Sequence, residues 1–356
     1  MRVGVLGLGL IGGSVALAAR ERLGAEVTGF DPNPEAGRRA LERAAVTSLA
    51  PDVAGAVAGA DIVWVATPVG ALPGAVAAAL AAAGDGTAVT DVGSTKRRIV
   101  AEVDDQRFVG GHPLAGAETA GIDNARADLF AGATWYLTPT DRTSGILFER
   151  LHRAIVGLGA QPAAIGAAQH DAVLAAVSHL PHVMANVLVS GAAQALAAED
   201  VRVPAAGPSF RDATRVAGAS NAIWRDIYLA NADALIDRID DAVARLGEVR
   251  AALATADGDG IAAWNETAAG DRRTLLESQL AGGEVHELRV SVPNEPGVIA
   301  RIALELGRAG VNITDMALYP TADATSGVVA LWIAGAEPAG AAQELLAGLG
   351  HPVARA

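Results

Sequence analysis

Two hydrophobic patterns divide the chain. Short apolar runs at residues 2–6, 26–31, 60–68, 87–92, 135–139 and 162–165 are separated, up to about residue 165, by longer stretches of helical periodicity, among them 10–23 and 146–158. Strands alternating with helices predict a parallel sheet covered on both faces, a doubly wound α/β domain over 1–165. From 167 to 280 the strand signals vanish and helical periodicity takes over, which predicts an all-helical domain over 166–280. Ala281-Gly282-Gly283 then punctuates the chain, and residues 285–291 alternate like a half-exposed strand. A helix to about 309, a strand opening at 310–313, a strand over 327–334 and a helix over 339–349 complete a small βαββα module at 284–356. The longest apolar run, 71–83, carries Pro73 and Gly74 and is too short to span a bilayer, so no membrane partner is expected.

Composition narrows the chemistry. The 27 basic and 40 acidic residues give a net charge of −13 without a Lys/Arg block, which argues against a nucleic-acid partner. The chain has no cysteine, so thiolate catalysis, disulfides and cysteine-ligated metal are excluded; no metal is expected. The N-terminus enters a strand pattern with no signal-peptide arrangement, and the expected location is the cytoplasm.

The first turn carries Gly7, Gly9 and Gly12 in G-x-G-x-x-G spacing, with Leu10 and Ile11 opening the following helix. Such glycines make the tight turn, admit the pyrophosphate and allow close strand–helix packing, with phosphate at the helix N-terminus. The second strand ends in Asp31, where an acid binds the adenosine ribose and repels a 2′-phosphate, so NAD is favoured over NADP. Thr67, Pro68 and Ser94 fall at later strand ends, where ligands bind in this fold.

His112 lies in Gly110-Gly111-His112-Pro113, at the seam between the nucleotide-binding half and the helical half. In the helical half, Ser178, His182 and Asn186 are spaced four apart on one face, and Pro181 should kink that helix. The stripe reads equally as a ligand site or as an interhelical hydrogen-bond network. Arg211 and Arg215 stand one turn apart, a disposition suited to gripping a carboxylate, although Asp212 and Arg215 also match a solvated ion pair. An all-helical partner this apolar points to a homodimer.

Taken together, Gly7 to Ser14, Asp91 to Lys96, Gly111 to Gly116 with Glu118, Ser178 to His182, Phe210 to Arg215 and Trp224-Arg225-Asp226 resemble the prephenate and arogenate dehydrogenases of tyrosine biosynthesis. The resemblance covers roughly residues 1–280. It implies an NAD-dependent oxidative decarboxylation in which His112 draws the proton of the substrate ring hydroxyl, a role suited to imidazole. It further implies that Ser94 contacts that hydroxyl and the nicotinamide end, Arg215 binds a substrate carboxylate, Ser178 and His182 line the side-chain pocket, and Glu118 is a gating acid. Arg211 stands where some members carry lysine. Two arginines with His182 favour the dianion prephenate over the zwitterion arogenate. A hydroxyacid dehydrogenase would need a catalytic lysine in the helical domain, and no lysine follows Lys96. A non-catalytic NAD or amino-acid sensor would not need His112, Ser94 and Arg215.

The module at 284–356, with Asn-Glu-Pro-Gly at 294–297 and Gly-Val-Asn-Ile at 310–313, resembles an ACT domain, a ferredoxin-like amino-acid-sensing fold. That resemblance makes Asn294, Gly297, Asn312 and Ile313 candidate effector contacts and tyrosine the expected effector. A purely dimerising module is the alternative.

Overall fold

The computed structural model describes residues 1–116, 119–199, 206–279, 284–293, 298, 302, 305–306, 309, 311, 313–321 and 325–355, with only the backbone for 276–279, 313–318 and 320. The chain forms two compact units, Met1–Ala244 and Arg245–Ala356.

The first unit is built on an eight-stranded sheet of order β3-β2-β1-β4-β5-β6-β7-β8. Its strands are β1 (Arg2–Leu6), β2 (Glu26–Phe30), β3 (Ser48–Leu49), β4 (Ile62–Val65), β5 (Ala88–Asp91), β6 (Phe108–Pro113), β7 (Thr134–Thr138) and β8 (Gln161–Ala164). Helices α1 (Leu10–Leu23), α2 (Pro34–Glu42), α3 (Val53–Val57), α4 (Leu72–Ala82), α5 (Arg97–Glu102) and α6 (Gly145–Gly157) connect them. Alternate residues of one strand feed opposite cores: Ile62 and Trp64 of β4 pack on one face, Val63 and Val65 on the other. Burial on both faces is why these strands read as unbroken apolar runs.

The doubly wound sheet departs from parallel pairing at one place. β7 runs antiparallel to β6, pairing Tyr136 with His112, and among the described residues between the two strands only a short 3-10 turn, Ile122–Asn124, occurs in place of a crossover α-helix. The apolar pair Phe108-Val109 is only the start of β6, which continues through both glycines to His112 and Pro113. Glycine is required there by crowding. A Cβ on Gly110 would meet Thr138 Oγ1 at 2.4 Å, and one on Gly111 would meet the Asp91 carbonyl oxygen at 2.6 Å.

The helical segment comprises α7 (Ala167–Leu174), a π-helical turn (Ala175–His179), α8 (Leu180–Ala198), α9 (Pro208–Thr214), α10 (Asn221–Ala230), α11 (Ala232–Ala254) and α12 (Gly258–Gln279). Pro181, expected to kink a helix, lies inside the continuous helical run directly after the π turn, whose wider winding accommodates a residue without an N–H. The continuous run Ala167–Ala198 is by length and composition apolar enough to cross a membrane, but it also carries His170, Asp171, His179 and His182. Its exposed Val187, Leu188, Val189 and Leu196 form an apolar surface.

The second unit contains an antiparallel sheet of order β10-β11-β9-β12, made of β9 (Val285–Pro293), β10 (Ile313–Pro320), β11 (Ser326–Ala334) and β12 (Val353–Arg355). Helix α13 (Ala336–Gly348) packs on it through Ala339, Ala342 and Leu346. Val298, Ile302 and Leu306 enter the same core at four-residue spacing, as expected of the helix there. β12 is an addition to the expected βαββα order.

Candidate active site

The glycine turn has the geometry of a dinucleotide site. Gly7 adopts a φ of +94°, and a Cβ there would stand 2.5 Å from the Ala66 carbonyl oxygen. A Cβ on Gly12 would fall 1.9 Å from the Gly7 carbonyl oxygen, whereas one on Gly9 would meet nothing within 4 Å. The crowded pair therefore shapes the loop, and the open position leaves room for a ligand against its backbone. Gly9 is the N-cap of α1 and offers no side chain to its N–H groups, which suits a phosphate. Asp31 sits half-buried at the end of β2 and accepts hydrogen bonds from Leu8 N (2.7 Å) and Asn33 N (2.8 Å), so it braces the glycine loop. Leu10 and Ile11 are half-buried, and Thr67 lies just past β4 with a buried hydroxyl that has no protein partner. Pro68 is exposed beside it. These features fit NAD.

Two buried carboxylates tie the loop after β5 to its surroundings. Asp91 pairs with Lys96 in full burial and also accepts from Gly93 N (2.8 Å) and Gly111 N (3.0 Å), linking the Ser94 loop to the strand of His112. Asp171, on α7, accepts from Lys96 N (2.7 Å) and Arg97 N (2.9 Å), so the helical segment caps α5 across the seam. Neither acid stood out in the sequence as a functional residue.

His112 is 8% exposed, and its Nδ1 lies 2.9 Å from His170 Nε2. His170 Nδ1 lies 2.8 Å from Asp171 Oδ1. The three residues form a buried chain from the seam into α7. Burial first, then the electrostatic influence of His170, Lys96 and His179, push the imidazole of His112 well below its ordinary value, so that it is a neutral base at physiological pH. A second branch leaves Asp171 through Asn231. The Asn231 amide donates to the Asp171 carbonyl at 2.8 Å and lies 3.1 Å from Nδ1 of the buried His179. His170, Asp171 and Asn231 escaped the sequence reading, and His179 entered it only within the Ser178–His182 stretch, without a role of its own. The His170-Asp171 dipeptide carries no spacing signature, and only the fold brings it to His112.

His182 stacks on Trp224 with ring centroids 3.5 Å apart, and Tyr228 continues the aromatic row at 5.4 Å from Trp224. Burial, reinforced by the positive charge of Arg215, lowers the His182 imidazole. It is therefore a neutral stacked ring and not a third cation. Arg211 is exposed and donates to the Ala206 carbonyl at 3.1 Å. The cationic cradle expected of Arg211, Arg215 and His182 thus reduces mainly to Arg215 beside a neutral His182. Ser178 is half-buried in the π turn, which widens the helix just where the expected Ser178–His182–Asn186 stripe begins; Asn186 is exposed. Glu118, Asn294, Gly297 and Asn312 lie outside the described residues, and Ile313 is described only as the backbone start of β10. Among the described residues no cluster suited to a metal ion occurs.

A glycine turn fitted to NAD, in the same sheet as a buried histidine base held by a helical domain, defines an NAD-dependent dehydrogenase. The sequence profile of the prephenate dehydrogenase nucleotide-binding domain matches residues 15–163, that of the family's dimerization domain residues 166–267, and that of the ACT domain residues 286–345. The prephenate dehydrogenase of Bacillus subtilis is 33% identical over 332 residues, 91% of this chain and 89% of that protein. The chain belongs to the prephenate dehydrogenase family. The cyclohexadienyl dehydrogenase of Zymomonas mobilis is 36% identical over 266 residues, covering 72% of this chain and 90% of that one. Among solved structures, prephenate dehydrogenase from Aquifex aeolicus in complex with hydroxyphenyl propionate and NAD+ superposes with a TM-score of 0.69 at 26% identity, covering 76% of this chain and 97% of that one. Synechocystis arogenate dehydrogenase gives 0.68 at 28%, covering 77% and 100%. The matched dimerization domain and the exposed apolar side chains of α8 support a homodimer.

Proposed function

We propose that this chain oxidises and decarboxylates prephenate to 4-hydroxyphenylpyruvate in tyrosine biosynthesis. The observation that carries the reading is His112: a buried, neutral imidazole on β6 that meets His170 of α7 where the glycine-turn domain joins the helical segment. Bound NAD supplies the hydride acceptor. His112 draws the ring hydroxyl proton as the carbinol C–H bond breaks. Carbon dioxide then departs from the opposite ring carbon, its bonding pair completes the aromatic ring, and His112 returns the proton to the phenol oxygen. Ser94 holds the hydroxyl and the nicotinamide end, Arg215 takes a carboxylate, and Ser178, His182 and Arg211 line the side-chain end, with Glu118 at its entrance.

Prephenate is supported by the Bacillus subtilis relative. Arogenate is the alternative, favoured by the Synechocystis structure and by the loss of His182 as a cation. We place the domain limits at 1–165, 166–280 and 284–356, assign the enzyme to the cytoplasm, and assign tyrosine as the effector of the ACT domain through Asn294, Gly297, Asn312 and Ile313. NADH formation with prephenate and with arogenate, each with and without tyrosine, tests the whole reading. Turnover of prephenate with inhibition by tyrosine is expected. Turnover of arogenate alone would reassign the substrate, and unchanged rates at saturating tyrosine would remove the effector.

A further inference from the structure

We propose that His170 and Asp171 are positioning residues that lock His112 in the one tautomer able to act as a base. The proposal rests on the assignment of His112 as the proton acceptor and asks what makes that side chain competent. The direction of the hydrogen bonds is fixed from the far end. The Asp171 carboxylate accepts two backbone N–H groups, Lys96 N at 2.7 Å and Arg97 N at 2.9 Å, and neither donor can reverse. A carboxylate so held acts as an acceptor, so His170 Nδ1, 2.8 Å away, donates to it. A neutral imidazole has a single N–H, so His170 Nε2 carries a lone pair. It accepts from His112 Nδ1 across 2.9 Å. His112 then has its proton on Nδ1 and its lone pair on Nε2, the nitrogen left for a substrate hydroxyl.

The chain has little freedom to rearrange. His170 is 0% exposed and Asp171 1%. The His170 ring stands edge-on to both His112 (centroids 5.1 Å) and Tyr136 (5.6 Å), so it is clamped between the residues that face each other across β6 and β7. When His112 takes up a proton, its Nδ1–H already points toward the buried carboxylate through His170. The arrangement performs the service that the acid of a Ser-His-Asp triad gives its histidine, with one more imidazole interposed. Because the Asp171 carboxylate also caps α5, the same group sets both the Ser94 loop and the His112 tautomer.

The test uses the full-length protein labelled with 15N-histidine, together with His170→Leu and His170→Gln. Nitrogen shifts of the wild type should show His112 protonated on Nδ1 at neutral pH, assigned by the loss of its signals in His112→Asn. His170→Leu removes the acceptor and should shift His112 toward the Nε2–H form. Its kcat for NADH formation should fall on the order of 10²-fold or more, with the KM of prephenate and the Kd of NAD within about twofold. His170→Gln returns a carbonyl acceptor near the old Nε2 position and should recover roughly tenfold of that loss. A purely packing role would not restore rate with tautomer. His112 protonated on Nε2 in the wild type would overturn the proposal, as would a His170→Leu kcat close to wild type. Should His170→Leu not fold, the wild-type tautomer and His170→Gln still decide. Failure of the wild type to turn over prephenate would sink the substrate assignment and leave the tautomer measurement standing.

Discussion

Acidification should destabilise this protein through His179, and the size of the effect follows from where that ring sits. Burial, the largest influence, pushes the His179 imidazole down from 6.5 to about 4, with Asp171 pulling the other way. Protonation at Nδ1 would also oppose the Asn231 amide that lies 3.1 Å away. A histidine depressed in the folded state binds fewer protons than the unfolded chain between the two values. Stability is therefore complete above about pH 6.5 and is lost as pH falls toward 4. The full span corresponds to about 3 kcal/mol, of which about 2 kcal/mol is gone by pH 5. His112, held low by burial as well, adds loss in the same direction, so wild type alone does not isolate the effect. The comparison with His179→Gln does. Urea midpoints at pH 7 and pH 5, at one protein concentration and followed by tryptophan fluorescence, should show wild type losing about 2 kcal/mol more than the variant. Equal losses would mean that His179 is protonated in the folded protein and that the buried branch through Asn231 is wrongly drawn.

Three further outcomes are expected. Replacing His112 with Asn should lower kcat by 10²- to 10⁴-fold, the range on the order of general base catalysis, with the Kd of NAD unchanged by calorimetry. Lys96→Met would leave the buried Asp91 carboxylate without its counter-charge, though still bonded to Gly93 N and Gly111 N. It should cost about 3 kcal/mol of stability in urea titration, the low end for a broken buried pair. Gly12→Ala forces a Cβ into the Gly7 carbonyl oxygen and should destabilise the domain by about 1–3 kcal/mol and raise the Kd of NAD together.

Much of this architecture is legible before folding because it follows local rules. The Gly7–Gly12 turn and the apolar strands are consequences of backbone sterics and of burial on two faces, which act over a few residues. The direction of β7 is not local. It depends on a connection of 20 residues between Pro113 and Thr134 that carries no strong helical signal. The site divides in the same way. His112, Ser94 and Arg215 stand in motifs, whereas His170 and Asp171 gain meaning only because α7 docks its side chains against Lys96 and His112. The charge of a side chain is also invisible in sequence: His182 reads as a cation until its burial beside Arg215 is seen to lower its imidazole.

The most direct measurement is a single turnover of prephenate with NAD by wild type and by His112→Asn, following NADH absorbance and the aromatic product in one mixing experiment. Wild type should release one equivalent each of NADH and 4-hydroxyphenylpyruvate with matching time courses, and the variant should give neither on that timescale. Equal bursts from both proteins would contradict the account, because the proton would then leave the substrate without His112.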